Sequence, residues 1–229
     1  MTRAAPPVLD LGEGRDRTTV WFTPAASRAL LTPVLARLLG ERWLASRDTW
    51  PVLDSRLTIS DDPLAPGRPG SRPVCDDGVP SRRLVLIDRG HAVAGLLDLA
   101  VASRHGLPAT GHGWRRGPSA PRIGFTNLVV EPGDAGPGDL ARAAGNGLLV
   151  EDLTFGPAPD PVSGVFRVSV PWAYQLSEGE IVGRLEGTSI TGDVFDLLRR
   201  VVAVGADSEW SGPVRMPALV IDGVGVERR

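Results

Sequence analysis

One cysteine, three histidines, one tyrosine and not a single lysine among 25 basic residues mark this 229-residue chain. Cys75 alone excludes an internal disulfide framework, so the fold must rest on its apolar core. An excess of charge of one sign is missing too. The 25 basic and 27 acidic side chains leave a net charge of −2, with no electrostatic footprint for nucleic acid. The arginine pairs Arg82-Arg83, Arg115-Arg116 and Arg199-Arg200 are isolated, with apolar residues or glycine adjoining each. No stretch approaches the ~18 apolar residues of a membrane span. The start Met1–Pro7 lacks the apolar core of a signal peptide. A cytoplasmic protein without nucleic-acid or membrane partners is expected. Arginine as the sole basic residue, with abundant Ala, Gly and Pro, reads as the coding bias of a GC-rich bacterial genome.

Catalytic signatures are equally scarce. No two histidines lie one helical turn apart with a glutamate between, the spacing a helix-borne metal site needs. His105 and His112, seven residues apart, could share a metal with a carboxylate. The plainer reading makes His91 a turn residue, His105 a helix C-terminal residue and His112 a loop residue. No serine sits in a Gly-x-Ser-x-Gly turn, and Cys75 in Val74-Cys75-Asp76-Asp77-Gly78 lacks an evident base. Gly111–Gly117 is one residue too long for a dinucleotide fingerprint and follows no strand. The pairs Asp61-Asp62, Asp76-Asp77 and Glu151-Asp152 read as surface carboxylates, and the six tryptophans as packing.

The chain is long enough to bury roughly 70–75% of its unfolded surface. After an irregular, mobile lead-in over residues 1–17, Thr18–Phe22 reads as a buried strand. Thr23-Pro24 then supplies an N-cap and a first-turn proline to a helix that Pro33 divides. Arg56–Ser60 reads as a strand, and five prolines between Asp61 and Pro80 mark a long loop. Strands are expected at Arg83–Asp88, Ala92–Leu97, Arg122–Val130, Gly147–Thr154, Val162–Trp172, Ile181–Leu185 and Val214–Val226. Helices are expected at Leu99–His105, Gly138–Ala144 and Asp193–Val202, the last capped by Thr191 or Asp193. The class is α+β, a mostly antiparallel twisted sheet with a few short helices.

The motifs add a resemblance. Cys75–Gly90, Gly95-Leu96-Leu97-Asp98 and Ala109-Thr110-Gly111-His112 resemble the C-terminal domain of the TldD/PmbA family. Pro121-Arg122-Ile123-Gly124-Phe125-Thr126-Asn127-Leu128 resembles that family's PR-x-x-x-TN segment. Asn146–Glu151, Asp160–Phe166 and Ser177–Ile181 follow as its hairpins, Val204-Gly205-Ala206-Asp207 resembles VGND, and Pro217–Val226 the closing strand. The similarity runs from about Thr18 to Val226, so residues 18–229 are read as this one domain.

The resemblance implies a zinc-dependent peptidase built from a catalytic TldD subunit and a similar, metal-free TldE (PmbA) subunit. The catalytic subunit's His-Glu-x-x-x-His helix falls at Thr23-Pro24-Ala25-Ala26-Ser27-Arg28 here, and its C-terminal cysteine is missing from Asp207–Met216. Both departures imply the TldE side. The expectation is a non-catalytic subunit without metal of its own, pairing with a TldD-like zinc metallopeptidase. It would help form the cleft for a peptide or amide substrate, for example in natural-product maturation. Family members are about twice this length, so the chain is either a natural short form lacking their N-terminal domain, the expectation taken here, or a fragment. Candidate cleft residues are His112, Trp114, Arg122, Thr126 and Asn127, with no catalytic or metal-binding residue. The family's label as a modulator of DNA gyrase finds no support in the charge pattern. A stand-alone hydrolase around His105 and His112, or a homo-oligomeric binding module, are the alternatives.

Overall fold

The computed structural model describes residues 6–9, 14–115, 117–153 and 163–228. Of the expected lead-in over residues 1–17, residues 1–5 and 10–13 lie outside them, as do the end of the strand at Thr154 and the motif start Asp160–Val162. The chain forms two compact units. One comprises Met1–Val34, Pro132–Glu209 and Met216–Arg229, and the other comprises Leu35–Glu131 and Trp210–Arg215.

In the first unit β1 (Gly14–Phe22) begins four residues earlier than expected. Part of the expected lead-in, Pro6–Leu9, is also tied down, since Arg184 donates its amide to the Pro7 carbonyl and accepts from Leu9. Thr23 caps α1 (Pro24–Leu30) by accepting from the Ala26 amide, with Pro24 in the first turn. The helix stops before Pro33, and α2 (Thr32–Arg37) starts afresh.

The second unit begins with the end of α2 and continues with α3 (Gly40–Ser46), β2 (Ile59–Asp61), β3 (Leu84–Asp88), β4 (His91–Ala92) and α4 (Leu99–Arg104). The short hairpin β5 (Gly113–Trp114) and β6 (Arg122–Ile123) precedes β7 (Leu128–Val130). The expected strand Arg122–Val130 is thus broken in two. Thr126 donates its amide to the Asp61 carboxylate, which removes it from any ladder. Strand β2 pairs antiparallel with both β3 and β7. Its buried residues match apolar neighbours Leu57, Ile87, Leu128 and Val130 in the core. Residues 62–80 hold no regular element beyond one Val74–Pro80 bridge, as the prolines dictate.

Returning to the first unit, α5 (Pro137–Ala144), β8 (Leu148–Val150), β9 (Val165–Val170), β10 (Ala173–Ser177), β11 (Glu180–Leu185) and β12 (Thr188–Asp193) follow. Asp193 caps α6 (Val194–Leu198) by accepting from the Phe195 and Asp196 amides. This helix is half the expected length, because the β-branched run from Val201 opens β13 (Val201–Ser211) instead. The last strand, β14 (Val214–Arg228), starts in the second unit, parallel to β7, and then pairs antiparallel with β1 and β12. β1 also pairs parallel with β8, so the sheet is mixed, with antiparallel neighbours in the majority. Leu140 and Ala144 of α5 pack on Leu176, Ala218 and Val220. Burying one leucine there stabilises by roughly 2–3 kcal/mol.

Candidate functional site

All five candidate residues lie in the second unit, and three of them, His112, Thr126 and Asn127, are buried beside the end of β2. Ile59 and Ser60 are buried, and the strand closes on Asp61, a carboxylate with no exposure at all. The expectation of a surface acid fails here. Two donors and a nearby imidazole account for it. The Thr126 amide donates to Asp61 at 3.0 Å and the Thr126 hydroxyl at 2.8 Å, while His112 Nε2 stands 3.1 Å from Oδ2, close enough for an ion pair but poorly aligned for a hydrogen bond. His112 is a loop residue, as expected, and is fully buried. Its Nδ1 lies 3.0 Å from the Thr110 hydroxyl, which in turn bonds both the amide and the carbonyl of Leu97. The chain Leu97–Thr110–His112–Asp61–Thr126 therefore ties three separated segments together in the interior.

Asn127 works beside it as a staple for the proline-rich loop. Its carbonyl accepts from the Gly70 amide at 3.2 Å, and its amide nitrogen donates to the Asp62 carbonyl at 2.8 Å and the Ser71 hydroxyl at 2.9 Å. Gly70 is required for this approach, because a Cβ there would lie 2.2 Å from the Thr126 carbonyl. Thr126 and Asn127 are thus committed to internal partners, and His112 is closed off from solvent.

Above this foundation lies a cleft of about 400 Å³, lined by Pro69, Gly70, Ser71, Arg72, Trp114, Phe125, Thr126 and Pro213. A second hollow shares Trp114 and Phe125 and continues to Ser119, Arg122, Ile123 and Gly124. Trp114 is 40% exposed and Arg122 exposed, so these two candidates do face solvent. Asp61, Arg72 and Phe125 were missed in the sequence. Asp61 alone carried a signal, an acid closing an apolar stretch. His105 is elsewhere engaged, 2.8 Å from Glu41, whose carboxyl is held below its ordinary value of 4.5 chiefly by that hydrogen bond, with Arg104 adding to it. His105 and His112 therefore have separate partners.

In the first unit, α1 carries the residues where the resemblance sets metal ligands. Thr23 donates its hydroxyl to the Glu151 carbonyl, and Ser27 donates to the Phe22 carbonyl at 3.2 Å. The rest of that turn is Pro24, two alanines and Arg28. Zinc takes imidazole, thiolate or carboxylate donors; this helix offers none, so its residues do not fit the ion. Among the described residues no group of three His, Cys, Asp or Glu converges.

Compared with known families, residues 15–228 match the PmbA/TldA metallopeptidase C-terminal domain. The chain belongs to this family. Among relatives of this PmbA/TldD-type domain, a metalloprotease of Methanocaldococcus jannaschii is 29% identical over 155 residues, 68% of this chain and 34% of that protein. A metalloprotease TldD homolog of Buchnera aphidicola is 28% identical over 177 residues, 77% of this chain and 35% of its own length. Among solved structures, TldE from Thermococcus kodakarensis superposes with a TM-score of 0.83 at 25% identity, covering 96% of this chain and 51% of that one. The chain thus spans about half or less of the length of these relatives. No helix among the described residues is long and apolar enough to cross a membrane.

Proposed function

We propose that this PmbA/TldD-type domain is a TldE-like, non-catalytic subunit that pairs with a TldD-like zinc metallopeptidase and completes its substrate cleft. The observation that carries the reading is the α1 turn Thr23–Arg28, which keeps the helix but has a threonine and an arginine in the two histidine positions. The similarity to the Thermococcus TldE structure points the same way. In this reading the partner's zinc supplies the hydrolytic chemistry. This chain binds and orients an extended peptide or amide, with the Trp114 and Phe125 rings as an apolar shelf and the buried Asp61–His112 pair keeping that shelf in place. Such a pair would suit maturation of a peptide natural product in a GC-rich bacterium. The test is coexpression with a TldD-like metallopeptidase. Copurification, together with peptide hydrolysis by the complex that the isolated chain lacks, is expected. Failure to associate, or full activity of the isolated chain, would overturn the reading.

A further inference from the structure

We infer that the cleft between Pro69–Arg72 and the Trp114 and Phe125 rings recognises a carboxylate carried on a flat apolar group, with Arg72 as its specificity residue. The inference deepens the proposed function and rests on reading this surface as substrate-facing. Among the described residues, Arg72 is the one charged side chain lining the cleft, and no acid lines either it or the hollow that adjoins it. Its Nε is enclosed and has no partner among the described residues. Its one ion pair is long, with Nη1 3.4 Å from Asp76 Oδ2, and that same oxygen accepts from the Arg115 amide at 2.7 Å. An enclosed guanidinium donor without an acceptor is costly, and a carboxylate would relieve it in the forked geometry that arginine favours.

The remaining polar groups of the lining are occupied. The Ser71 hydroxyl donates to the Ala65 carbonyl and accepts from Asn127, and the Thr126 hydroxyl serves Asp61. A ligand rich in hydroxyls would find no donors here, whereas a single anionic group would. The other walls are apolar or aromatic. Trp114 lies with its ring centroid 5.9 Å from the Arg72 guanidinium carbon, so a flat group can lie against the ring while its carboxylate reaches the arginine. Arg122, lining the adjoining hollow and without a partner among the described residues, adds charge of the same sign. About 400 Å³ suits one aromatic residue and is far too small for a folded partner. Two sources share this chemistry, the C-terminal residue of a peptide and a free aryl acid.

The experiment is calorimetric titration of the full chain, without any partner subunit, with N-acetyl-phenylalanine, its uncharged amide, the tripeptide Ala-Ala-Phe and 3-phenylpropanoate. The acids should bind saturably and the amide at least tenfold more weakly. Arg72→Gln should abolish that difference without altering the weak binding of the amide. Arg72→Lys, which keeps the charge but not the Nε donor, should fall between. Trp114→Ala should weaken acid and amide alike. Ala-Ala-Phe binding more tightly than 3-phenylpropanoate assigns the site to peptide C-termini, and the reverse order to free aryl acids. Equal binding of acid and amide by the unsubstituted chain, or no saturable binding of any acid, overturns the inference even if Arg72→Gln fails to fold. Because no partner is present, either failure leaves the copurification result untouched.

Discussion

Replacing Asp61 by alanine strikes the interior network at its most connected point. The substitution strands two donors in a space closed to solvent, the Thr126 amide and the Thr126 hydroxyl, and takes away the carboxylate that His112 Nε2 stands against. Each buried group left without a partner costs about 1–3 kcal/mol, toward the upper end where the lost acceptor is a carboxylate. The losses share one site and do not add, so about 3–5 kcal/mol is expected in total. In urea, at a slope of about 2–3 kcal/mol/M, that lowers the unfolding midpoint by roughly 1–2 M with the slope unchanged. Thr126→Val, which removes only the hydroxyl, should cost about 1 kcal/mol. His112→Leu should cost much less in the Asp61→Leu background than alone, since replacing both members of a buried pair by apolar groups can be nearly neutral. A loss below about 1 kcal/mol for Asp61→Ala would refute the reasoning. It would mean that the segment is held by its backbone and that the cleft has no such foundation.

Three further outcomes follow from single contacts. Gly90 has φ +81°, and a Cβ there would meet the Leu53 carbonyl oxygen at 2.2 Å, so Gly90→Ala should cost about 2–4 kcal/mol in thermal unfolding. Asp193→Ala removes the cap of α6 and should cost about 1 kcal/mol by the same measurement. Glu41, with its carboxyl held down by His105, contributes stability above the ordinary carboxylate value of 4.5 and loses it as the pH falls through its lowered one. The Tm advantage of the unsubstituted chain over Glu41→Gln should therefore be present at neutral pH and disappear below pH 4.5.

Local chemistry made the first helices legible. Thr23-Pro24 started α1 and Pro33 ended it by mechanisms that need no tertiary context. The proline-rich segment after Asp61 was legible for the same reason. What escaped was decided by distant partners. Arg122–Val130 has the pattern of one strand, yet Asp61, 65 residues away, takes the Thr126 amide and bends it. The helix from Asp193 stops short because Val201 onward pairs as β13 beside β14. β12, with its threonines and glycine, has no clear alternation to announce it. At the site, five residues were read alike as facing a cleft, whereas Trp114 and Arg122 are exposed and His112, Thr126 and Asn127 are buried with Asp61. A carboxylate among polar neighbours reads as exposed until its donors are placed around it. Arg72 was one arginine among 25 in the sequence, and it is set apart only by pairing an enclosed Nε, which Arg184 and Arg228 share, with a place in the cleft lining.

Elemental analysis of this chain, purified alone and with a coexpressed TldD-like subunit, tests the central claim most directly. The account predicts zinc at one equivalent per heteromeric pair and none bound by the chain purified alone. Stoichiometric zinc in the isolated chain would contradict it.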